Sequence, residues 1–223
     1  MCGRFTLTTS WEDLKRAFPE FEFIFENTTP VSYNIAPSQK VLVASAFKPE
    51  IVQRFIWGLV PTWSKDDSFA HKLINARGET VFTKSSYKKA IRQRRCLIFT
   101  SGFFEWKKEE NTKQPYFIKL KSKDPFTFGG IWEAWKQPDG AERKTFSIIT
   151  TPANLTLSTV HNRMPLIVSK NQYQLWLDHD NHDEKAIKNI IQQNSKNEFE
   201  YFAVSNRVNS VKNNDSDCIR MVV

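Results

Sequence analysis

The sequence predicts an α+β fold, in which a strongly curved mixed sheet or a partial β-barrel carries helices at its periphery. Runs of β-branched and aromatic residues, separated by short polar turns, recur along the chain, and helical patterns are few and short. A regular alternation of strand and helix would instead indicate a doubly wound parallel sheet. With 223 residues and 40% hydrophobic content, the chain is long enough for one substantial core, so we expect a single domain over residues 1–223.

In the first part of the chain, capping residues and alternation define the expected elements. Ser10 is a suitable N-cap for a helix over residues 11–18, which Pro19 would end. A turn is expected at residues 33–37. Two strands are expected at 40–47 and 51–57, joined by a short connection at 48–50, and a loop follows at 59–70.

The second part begins with a basic amphipathic helix predicted over residues 83–95, with Tyr87 facing inward and the basic side chains, Arg95 among them, facing outward. Strands follow, with a Pro-Asp-Gly turn at 138–140 and two late helices. The strands are expected at residues 96–105, 115–120, 126–134, 145–150 and 199–204, and the helices at 171–177 and 184–193.

The composition argues against several classes of protein. No apolar run approaches the ~20 residues of a membrane-spanning helix, and no secretory signal is present, so we expect a cytoplasmic protein, nucleoid-associated if bacterial. Three widely spaced cysteines argue against a disulfide framework, and Cys96 is expected in the core. The histidines lack zinc-site spacing, and no Gly-rich phosphate loop occurs, so we expect no metal and no cofactor.

The charge points to a polyanionic partner. The net charge of +8, from 32 basic and 24 acidic residues, is typical of proteins that bind nucleic acid. Seven tryptophans and eighteen phenylalanines strengthen this interpretation, because grooves for single-stranded nucleic acid combine aromatic faces with Lys and Arg. The alternative is that most of these rings lie in the core.

The first residues of the chain hold its most reactive chemistry. Removal of Met1, which a small second residue permits, would leave an amine and a thiol together on Cys2. A free α-amino group has a pKa of about 8, so at neutral pH part of it is an uncharged nucleophile that attacks aldehydes. The thiol can then add to the imine carbon and close a five-membered thiazolidine ring. The alternative is that Cys2 merely follows the start codon.

Three polar residues in apolar or aromatic surroundings are candidate catalytic groups. Burial of Glu105, between Phe104 and Trp106, would raise its pKa into the range of general acid-base catalysis, although strand alternation equally allows an outward-facing carboxylate. His161 could transfer protons, or it could be a hydrogen-bonded core histidine. Asn75 could hydrogen-bond a ligand or the terminal amine, or it could form a turn.

Short motifs that follow one another along essentially the whole chain carry a family resemblance. They are Cys2-Gly3-Arg4, Tyr33-Asn34-Ile35-Ala36-Pro37, Trp57-Gly58 with Pro61-Thr62-Trp63, Ile74-Asn75-Ala76-Arg77 with Glu79-Thr80, Phe104-Glu105-Trp106, Pro115-Tyr116-Phe117, His161 to Pro165, and Val204-Ser205 with Val208-Asn209. In this set the chain resembles the SOS-response-associated peptidase (SRAP) family. It departs at Asn162, where the family usually has an aspartate after the histidine, so a carboxylate is missing there.

The resemblance implies a sensor of abasic sites in single-stranded DNA. An abasic deoxyribose equilibrates with a ring-opened aldehyde, and the amine of Cys2 would condense with its C1′ atom. Glu105 and His161 would transfer the protons, Asn75 would hydrogen-bond the opened sugar or hold the amine, and the Cys2 thiol would close the thiazolidine. This covalent DNA-protein crosslink would shield the lesion from strand cleavage.

The resemblance also implies which residues contact the DNA. Arg4, Arg77 and Arg163 each lie two residues from a proposed catalytic residue and would bring guanidinium groups to the sugar and the phosphates. A structural ion pair is the alternative for each arginine. Asn34 would line the same pocket, and Trp63 would stack on an exposed base or pack in the core.

Two rival functions stay open beside this lyase-like Schiff-base chemistry. A cysteine peptidase is suggested by the family's name and by Cys, His and Glu on one chain, with Met1 as its own substrate. A passive single-strand binder would use the aromatic residues without chemistry. The expected partner is single-stranded DNA with abasic sites, alone or at junctions with duplex, bound by a monomer that needs no membrane. Met1 would be removed by the protein itself or by an aminopeptidase.

Overall fold

The computed structural model describes residues 2–24, 31–110, 112–181, 183–193 and 198–222. In this part of the chain the backbone forms two sheets and several short helices. The strands are β1 Arg4–Leu7, β2 Glu22–Phe23, β3 Ser32–Ile35, β4 Lys40–Ser45, β5 Lys48–Trp57, β6 Asn75–Arg77, β7 Arg95–Thr100, β8 Gly102–Lys108, β9 Lys113–Leu120, β10 Phe126–Lys136, β11 Glu142–Pro152, β12 Arg163–Pro165 and β13 Phe199–Ala203. The helices are α1 Trp11–Ala17, α2 Ala90–Gln93, α3 Tyr173–Leu177 and α4 Glu184–Gln192.

Five strands of the larger sheet close into a barrel. Their order is β5-β4-β7-β10-β11, with antiparallel pairing throughout. The ring closes where β11 meets β5 in parallel, with Thr145 opposite Ile56 and Phe146 opposite Trp57. Beyond the ring, β6 and β12 pair with the last residues of β11, and β2 pairs with β5. The predicted α+β class, with a strongly curved mixed sheet, is therefore confirmed.

The second sheet packs on the barrel through aromatic rings. It is antiparallel, in the order β13-β9-β8-β1-β3. The ring of Phe5 on β1 makes edge contacts with Trp57 and Phe128 at centroid distances of 5.1 and 5.7 Å, and Phe103 on β8 contacts Phe128 at 5.8 Å. Such pairs contribute about 0.5–1.5 kcal/mol each beyond the area they bury. One cluster of buried side chains thus joins both sheets and holds β1 and β8 against the barrel.

Several predicted elements are found with small shifts at their ends. The helix expected at 11–18 is α1, and its N-cap Ser10 accepts a hydrogen bond from the backbone N–H of Asp13 at 3.1 Å. The late helices correspond to α3 and α4. The turn at 138–140 connects β10 and β11, and Gly140 supplies the positive φ of 87° that this turn requires.

Four predictions were wrong in detail. The single strand expected at 96–105 is two strands, β7 and β8, which belong to different sheets. Residues 33–37 do not simply turn, because residues 32–35 pair with β1 as strand β3. The connection expected at 48–50 lies inside β5, and the chain reverses at residues 46 and 47 instead. The helix expected over 83–95 is confined to α2, with turns before it, and Arg95 already begins strand β7.

Arg95 is fully buried rather than outward-facing, because backbone carbonyl groups surround its guanidinium. Its Nε donates to the carbonyl of Trp176 at 2.7 Å, and Nη1 donates to the carbonyl of Ile91 at 3.0 Å. Its Nη2 donates to the carbonyl of Asp178. Burial lowers the pKa of Arg95 to about 10. The side chain therefore joins α2, the end of α3 and the start of β7, which helical periodicity does not reveal.

The cysteines Cys2, Cys96 and Cys218 are buried and form no disulfide. Cys96 lies in the core, as predicted. Within the described ranges, no helix is long and apolar enough to cross a membrane. Met1, whose removal is predicted, lies outside the described residues.

We expect Arg95→Lys to destabilise the fold by about 2–4 kcal/mol, because a lysine cannot reproduce a planar fork directed at three carbonyl groups and leaves buried acceptors unpaired. The measurement is urea unfolding at neutral pH. Arg92→Lys on α2 is the matched control, since Arg92 is exposed and pairs with Glu184 at the surface, and its loss should stay below about 1 kcal/mol. Equal losses for the two variants would contradict this account of Arg95.

Candidate active site

Strand β6 brings Asn75 to the N-terminal segment of the chain. The Asn75 Nδ2 donates a hydrogen bond to the carbonyl oxygen of Cys2 at 2.8 Å, and Cys2 is fully buried. Two hydrogen bonds hold this part of the backbone. The hydroxyl of Tyr87 donates to the Asn75 carbonyl at 3.1 Å, and Trp57 Nε1 donates to the carbonyl of Ile74 at 2.9 Å. The structure thus joins Asn75 to the backbone of Cys2.

Glu105 lies on β8, beside the strand that begins just after Cys2. Strands β1 and β8 are antiparallel with Arg4 opposite Phe104, so Glu105 comes directly after this pair on β8. Its side chain is 3% exposed, which excludes the outward-facing alternative for this strand position. Burial raises the pKa of Glu105 to about 7. Near neutral pH both the acid and the carboxylate are therefore populated, as a group that donates and accepts protons requires.

The thiol of Cys2 is protonated at neutral pH. Burial and the negative charge of the Glu105 carboxylate raise the pKa of this thiol well above its ordinary value. The Cys2 Sγ also donates a weak hydrogen bond to the carbonyl of Arg4 at 3.6 Å. The effect of Glu105 on this pKa shows that the two groups lie within electrostatic range. A thiol in this environment needs a base before it can act as a nucleophile.

His161 lies just before β12, and its ring is oriented by the backbone. The Nδ1 atom lies 3.0 Å from the backbone nitrogen of Arg163 and 3.3 Å from the carbonyl oxygen of the same residue, so the backbone of Arg163 fixes the orientation of the ring. Partial burial, with the nearby positive charge of Arg163, lowers the pKa of His161. At neutral pH the imidazole is therefore largely uncharged.

Arg163 forms an ion pair within the protein. Its guanidinium hydrogen-bonds both carboxylate oxygens of Glu79, with an Nη2 to Oε2 distance of 2.9 Å, and Nη2 also donates to Thr150 Oγ1 at 3.2 Å. This contact lowers the pKa of Glu79. The ion-pair alternative considered for Arg163 is thus realised, and a phosphate contact would require Glu79 to release the guanidinium.

Arg77, Arg4 and Trp63, which are also predicted to contact DNA, differ in how accessible they are. Arg77 is exposed on β6, and its side chain has no hydrogen bond or ion pair with the described part of the chain. Arg4 is partly buried and donates to the carbonyl of Asn209 at 3.2 Å. Trp63 is 64% exposed, so it does not pack in the core. Contact of any of these side chains with DNA stays a prediction.

Asn34 requires a correction, because its side chain points away from the surface. It is 1% exposed, and its Nδ2 lies within hydrogen-bonding distance of the carbonyl oxygens of Val208, Ser210 and Asn213, at 3.2, 3.0 and 2.8 Å. These contacts hold the segment around residues 208–213 against β3. An amide that is used in this way is not available to bind DNA.

Two residues that contact the site have no role in the sequence interpretation. Tyr87 was predicted to face inward, but its hydrogen bond to the Asn75 carbonyl joins two elements whose contact local periodicity does not encode. Glu79 lies within one of the family motifs, and its pairing with Arg163 depends on both β6 and β12 lying beside β11.

One group of side chains in the described ranges has the geometry to hold a metal ion. Ligand atoms of Asp178, His179 and Asp180 lie within 4.8 Å of one another, and all three residues are exposed. Exposed acidic groups often lie close together without an ion, and we assign this cluster no role. The absence of a metal and of a cofactor stays a prediction.

Comparison with known sequences establishes the family. The sequence model of the SOS response associated peptidase (SRAP) family matches residues 1–211, and the chain therefore belongs to this family. Among its relatives are the abasic site processing proteins YoqW of Bacillus subtilis and YedK of Escherichia coli. YoqW is 38% identical over 98% of this chain and 99% of its own length, and YedK is 32% identical over 100% of both.

A more distant relative and a solved structure are also similar to this chain. The abasic site processing protein HMCES of Gallus gallus is 30% identical over 98% of this chain and 77% of its own length. A crystal structure of a protein from Bacteroides thetaiotaomicron superimposes with a TM-score of 0.85 at 23% identity, over 100% of both chains. At that identity the structural match shows a shared fold.

We expect Glu105→Gln to stabilise the protein in alkaline but not in acidic solution. The folded state raises the pKa of this carboxyl from 4.5 to about 7, so it favours the protonated form. The stability that this preference contributes is present below pH ~4.5 and is lost as the pH rises through ~7. Removing the ionised carboxylate should therefore gain about 3 kcal/mol at pH ~8 and little at pH ~4.

Urea unfolding of the parent and the variant at both pH values measures this difference. Glu198→Gln is the control, because Glu198 is exposed and pairs with Lys121 at the surface; its effect should stay below about 1 kcal/mol at either pH. The burial account of Glu105 would be wrong if Glu105→Gln gave the same change in the free energy of unfolding at both pH values.

Proposed function

We propose that this protein captures abasic sites in single-stranded DNA as a covalent thiazolidine at Cys2, after removal of Met1. Membership of the SRAP family supports this function, as do relatives over the whole chain that are named abasic site processing proteins. The chemistry is supported by the surroundings of Cys2. Glu105 is buried, its pKa is raised to about 7, and its charge acts on the Cys2 thiol. Asn75 holds the backbone of Cys2 through a hydrogen bond to its carbonyl oxygen.

The proposed reaction begins at the amino group that Met1 removal exposes on Cys2. The uncharged amine attacks the C1′ aldehyde of the ring-opened deoxyribose and forms a carbinolamine. Protonated Glu105 gives its proton to the departing hydroxyl, which leaves as water, and an iminium ion remains. Glu105, now a carboxylate, takes the proton of the Cys2 thiol as sulfur attacks the iminium carbon. In the net reaction, the amine, the aldehyde and the thiol form the thiazolidine and one molecule of water, and Glu105 returns to its acid form.

The raised pKa of Glu105 suits both steps. A carboxyl group with an ordinary pKa would be almost fully ionised at neutral pH and could not donate a proton to the hydroxyl. The raised pKa of the Cys2 thiol makes the second step dependent on a base, and Glu105 is the carboxylate whose charge acts on that thiol. One residue therefore supplies the acid and the base in sequence.

His161 and Asn75 have supporting roles in this proposal. In the tautomer that carries its proton on Nε2, the neutral imidazole of His161 would donate a hydrogen bond to the sugar ring oxygen as the deoxyribose opens. Asn75 carries no titratable group and fixes the position of the Cys2 carbonyl, and with it the direction of the terminal amine.

The DNA contacts proposed are electrostatic and aromatic. Arg77, exposed two residues after Asn75, and Arg4, two residues after Cys2, would contact phosphates on either side of the lesion. Arg163 would join them once Glu79 releases it. The exposed ring of Trp63 would stack on a base beside the abasic site, because that base has lost its stacking partner.

The raised pKa of the Cys2 thiol also disfavours the rival peptidase function. Cysteine peptidases use a thiolate whose pKa is lowered by an adjacent histidine or a helix N-terminus. Here burial and the Glu105 carboxylate act in the opposite direction. A passive single-strand binder, in turn, would have no use for a buried carboxyl group whose ionised form destabilises the fold.

We expect Cys2→Ala to abolish the heat-stable adduct with an abasic single-stranded oligonucleotide, while an imine that borohydride can trap persists. Alanine keeps the α-amine but cannot close the ring. Denaturing electrophoresis with and without borohydride measures both products. Cys218→Ala is the matched control, because Cys218 is also buried and its Sγ also donates to a backbone carbonyl at 3.6 Å. The thiazolidine proposal would be contradicted if Cys2→Ala formed as much heat-stable adduct as the parent protein.

We expect Glu105→Gln to slow adduct formation by about 10²- to 10⁴-fold, with little change in noncovalent affinity for DNA, because glutamine keeps the shape but cannot transfer a proton. The measurements are a time course of crosslinking and equilibrium binding to an abasic analogue without an aldehyde. Glu133→Gln is the matched control, since Glu133 is equally buried but pairs with Arg94 on the barrel. Equal rates for Glu105→Gln and the parent would remove Glu105 from the reaction.

A further inference from the structure

The chain after β13 packs on the outer face of the second sheet, away from the barrel. Phe103 of β8 contacts the barrel, so Phe104, the next residue of the strand, points to the opposite face. On that face Phe104 forms a small buried cluster with Val208. We call residues 204–214 the C-terminal segment. This segment covers β8 on the side opposite to the barrel.

The backbone on both sides of Asn209, in the C-terminal segment, is held in place. The buried amide of Asn34 lies within hydrogen-bonding distance of the carbonyl oxygens of Val208 and Ser210, at 3.2 and 3.0 Å. Val208 itself is fully buried. The exposed Asn209 ends a short 3-10 turn, and its Nδ2 donates to the Oδ1 of Asn206 at 3.2 Å. The structure therefore presents Asn209 at a defined position.

Asn209 accepts hydrogen bonds from both strands that carry the candidate active site. Its Oδ1 accepts from Trp106 Nε1 at 2.9 Å, and its backbone carbonyl accepts from Arg4 Nη2 at 3.2 Å. Trp106 follows Glu105 on β8. Arg4 begins β1, two residues after Cys2. Asn209 thus bridges β1 and β8 through their side chains.

This bridge lies where the backbone pairing of the two strands ends. In the described ranges the pairing of β1 with β8 ends at Arg4 opposite Phe104, so Cys2 and Glu105 both lie beyond the last pair. The backbone hydrogen bonds between the strands therefore do not fix the distance between these two residues. A side-chain bridge at this end limits how far the two segments can separate.

Two local hydrogen bonds connect the bridge to the reacting groups. Burial raises the pKa of Glu105, and a hydrogen bond from the backbone N–H of Trp106 to its carboxylate acts in the opposite direction. Arg4 Nη1 donates to the carbonyl of Gly3, the residue next to Cys2, at 3.3 Å. A shift of Trp106 would therefore move the donor to the carboxylate, and a shift of Arg4 would disturb the N-terminal backbone.

We propose that Asn209 is a positioning residue for the capture reaction, and that it holds Glu105 and the N-terminal segment at the separation that proton transfer requires. It acts through Trp106 and Arg4 rather than by contact with the reacting atoms. This inference rests on the proposed function for the identity of the reaction. Proton transfer needs donor and acceptor within hydrogen-bonding distance, so a small change in this separation lowers the rate more than it weakens DNA binding.

The test is the rate of adduct formation with a saturating abasic single-stranded oligonucleotide. Asn209→Ala removes the acceptor for Trp106 but keeps the carbonyl to which Arg4 donates. We expect this variant to react about 5- to 20-fold more slowly than the parent, because small displacements of reacting groups reduce rates strongly. Its Kd for an oligonucleotide with a tetrahydrofuran abasic analogue, which has no aldehyde, should stay within about twofold of the parent's.

Asn214→Ala is the matched control for a loss of stability. Asn214 is an exposed asparagine of the same C-terminal segment, and its Oδ1 accepts from the backbone N–H groups of Tyr33 and Asn34 at 2.7 and 3.0 Å. Urea unfolding measures the stability lost in each variant. The control should form adduct at close to the parent's rate. An equal fall in rate for Asn209→Ala and Asn214→Ala would overturn the positioning role.

A second variant breaks the bridge from its other end. Trp106→Phe removes the indole donor and keeps an aromatic ring in the cluster, so it should slow adduct formation to a similar degree. Because both changes remove the same hydrogen bond, the double variant should be no slower than the slower single variant. Rate losses that multiply in the double variant would show that Asn209 does not act through Trp106, contrary to the proposal.

A further measurement needs no DNA. In protein isotope-labelled at the glutamate carboxyl carbons, the NMR signal that disappears in Glu105→Gln identifies Glu105, and its titration gives the pKa. Asn209→Ala should raise this pKa by about 0.5 or more, because the Trp106 N–H that stabilises the carboxylate is held less firmly. The Cys2 thiol, on which the charge of Glu105 acts, is the same in both proteins.

The titration separates the two proposals. The same pKa for Glu105 in Asn209→Ala and in the parent would overturn the role of Asn209, whatever the adduct assay shows. A parent that binds the analogue but forms no adduct would overturn the proposed function, and the titration would still show whether Asn209 positions Glu105.

Discussion

The parallel contact between β11 and β5 determines where the candidate active site forms. Thr145 and Phe146 of β11 form the backbone pairing with β5, and this short pairing closes the barrel. Each edge of a strand can pair with one neighbour at a given position, so the later residues of β11 take β6 on one edge and β12 on the other. The segments that carry Asn75 and His161 with Arg163, which are far apart in sequence, are thereby held at the same end of one strand.

The second sheet completes the site by packing its aromatic residues on this barrel. Phe5 and Phe103 contact rings of β5 and β10, so β1 and β8 lie against the barrel wall and Cys2 reaches the side chain of Asn75. Water is excluded where the two sheets meet. This exclusion raises the pKa of Glu105 and, with the charge of Glu105, that of the Cys2 thiol. The unusual acid-base properties of the site are thus a consequence of core packing, and an ionised Glu105 reduces the stability of the fold in which it lies.

The sequence was informative wherever one side chain's environment depends on its near neighbours. Alternation predicted most strands and therefore the α+β class, and Ser10 and Pro19 bounded the first helix. The family motifs identified SRAP membership, which the comparisons confirm. The single domain and the catalytic and DNA-binding assignments of Cys2, Glu105, His161, Arg4, Arg77 and Trp63 stay predictions. Arg95 and Asn34 were misjudged because their polar groups are satisfied by carbonyls of segments that are remote in sequence.

By itself, the sequence determined the class of fold, the family, and the presence of an amine and a thiol on one residue once Met1 is removed. These follow from residue identity and from local periodicity, which the chain carries without folding. The tertiary structure alone decided that Glu105 is buried, that Asn75 holds Cys2, and that Glu79 rather than solvent faces Arg163. Desolvation and hydrogen bonding between distant strands depend on which surfaces meet when two sheets pack, and no local pattern in the chain specifies that.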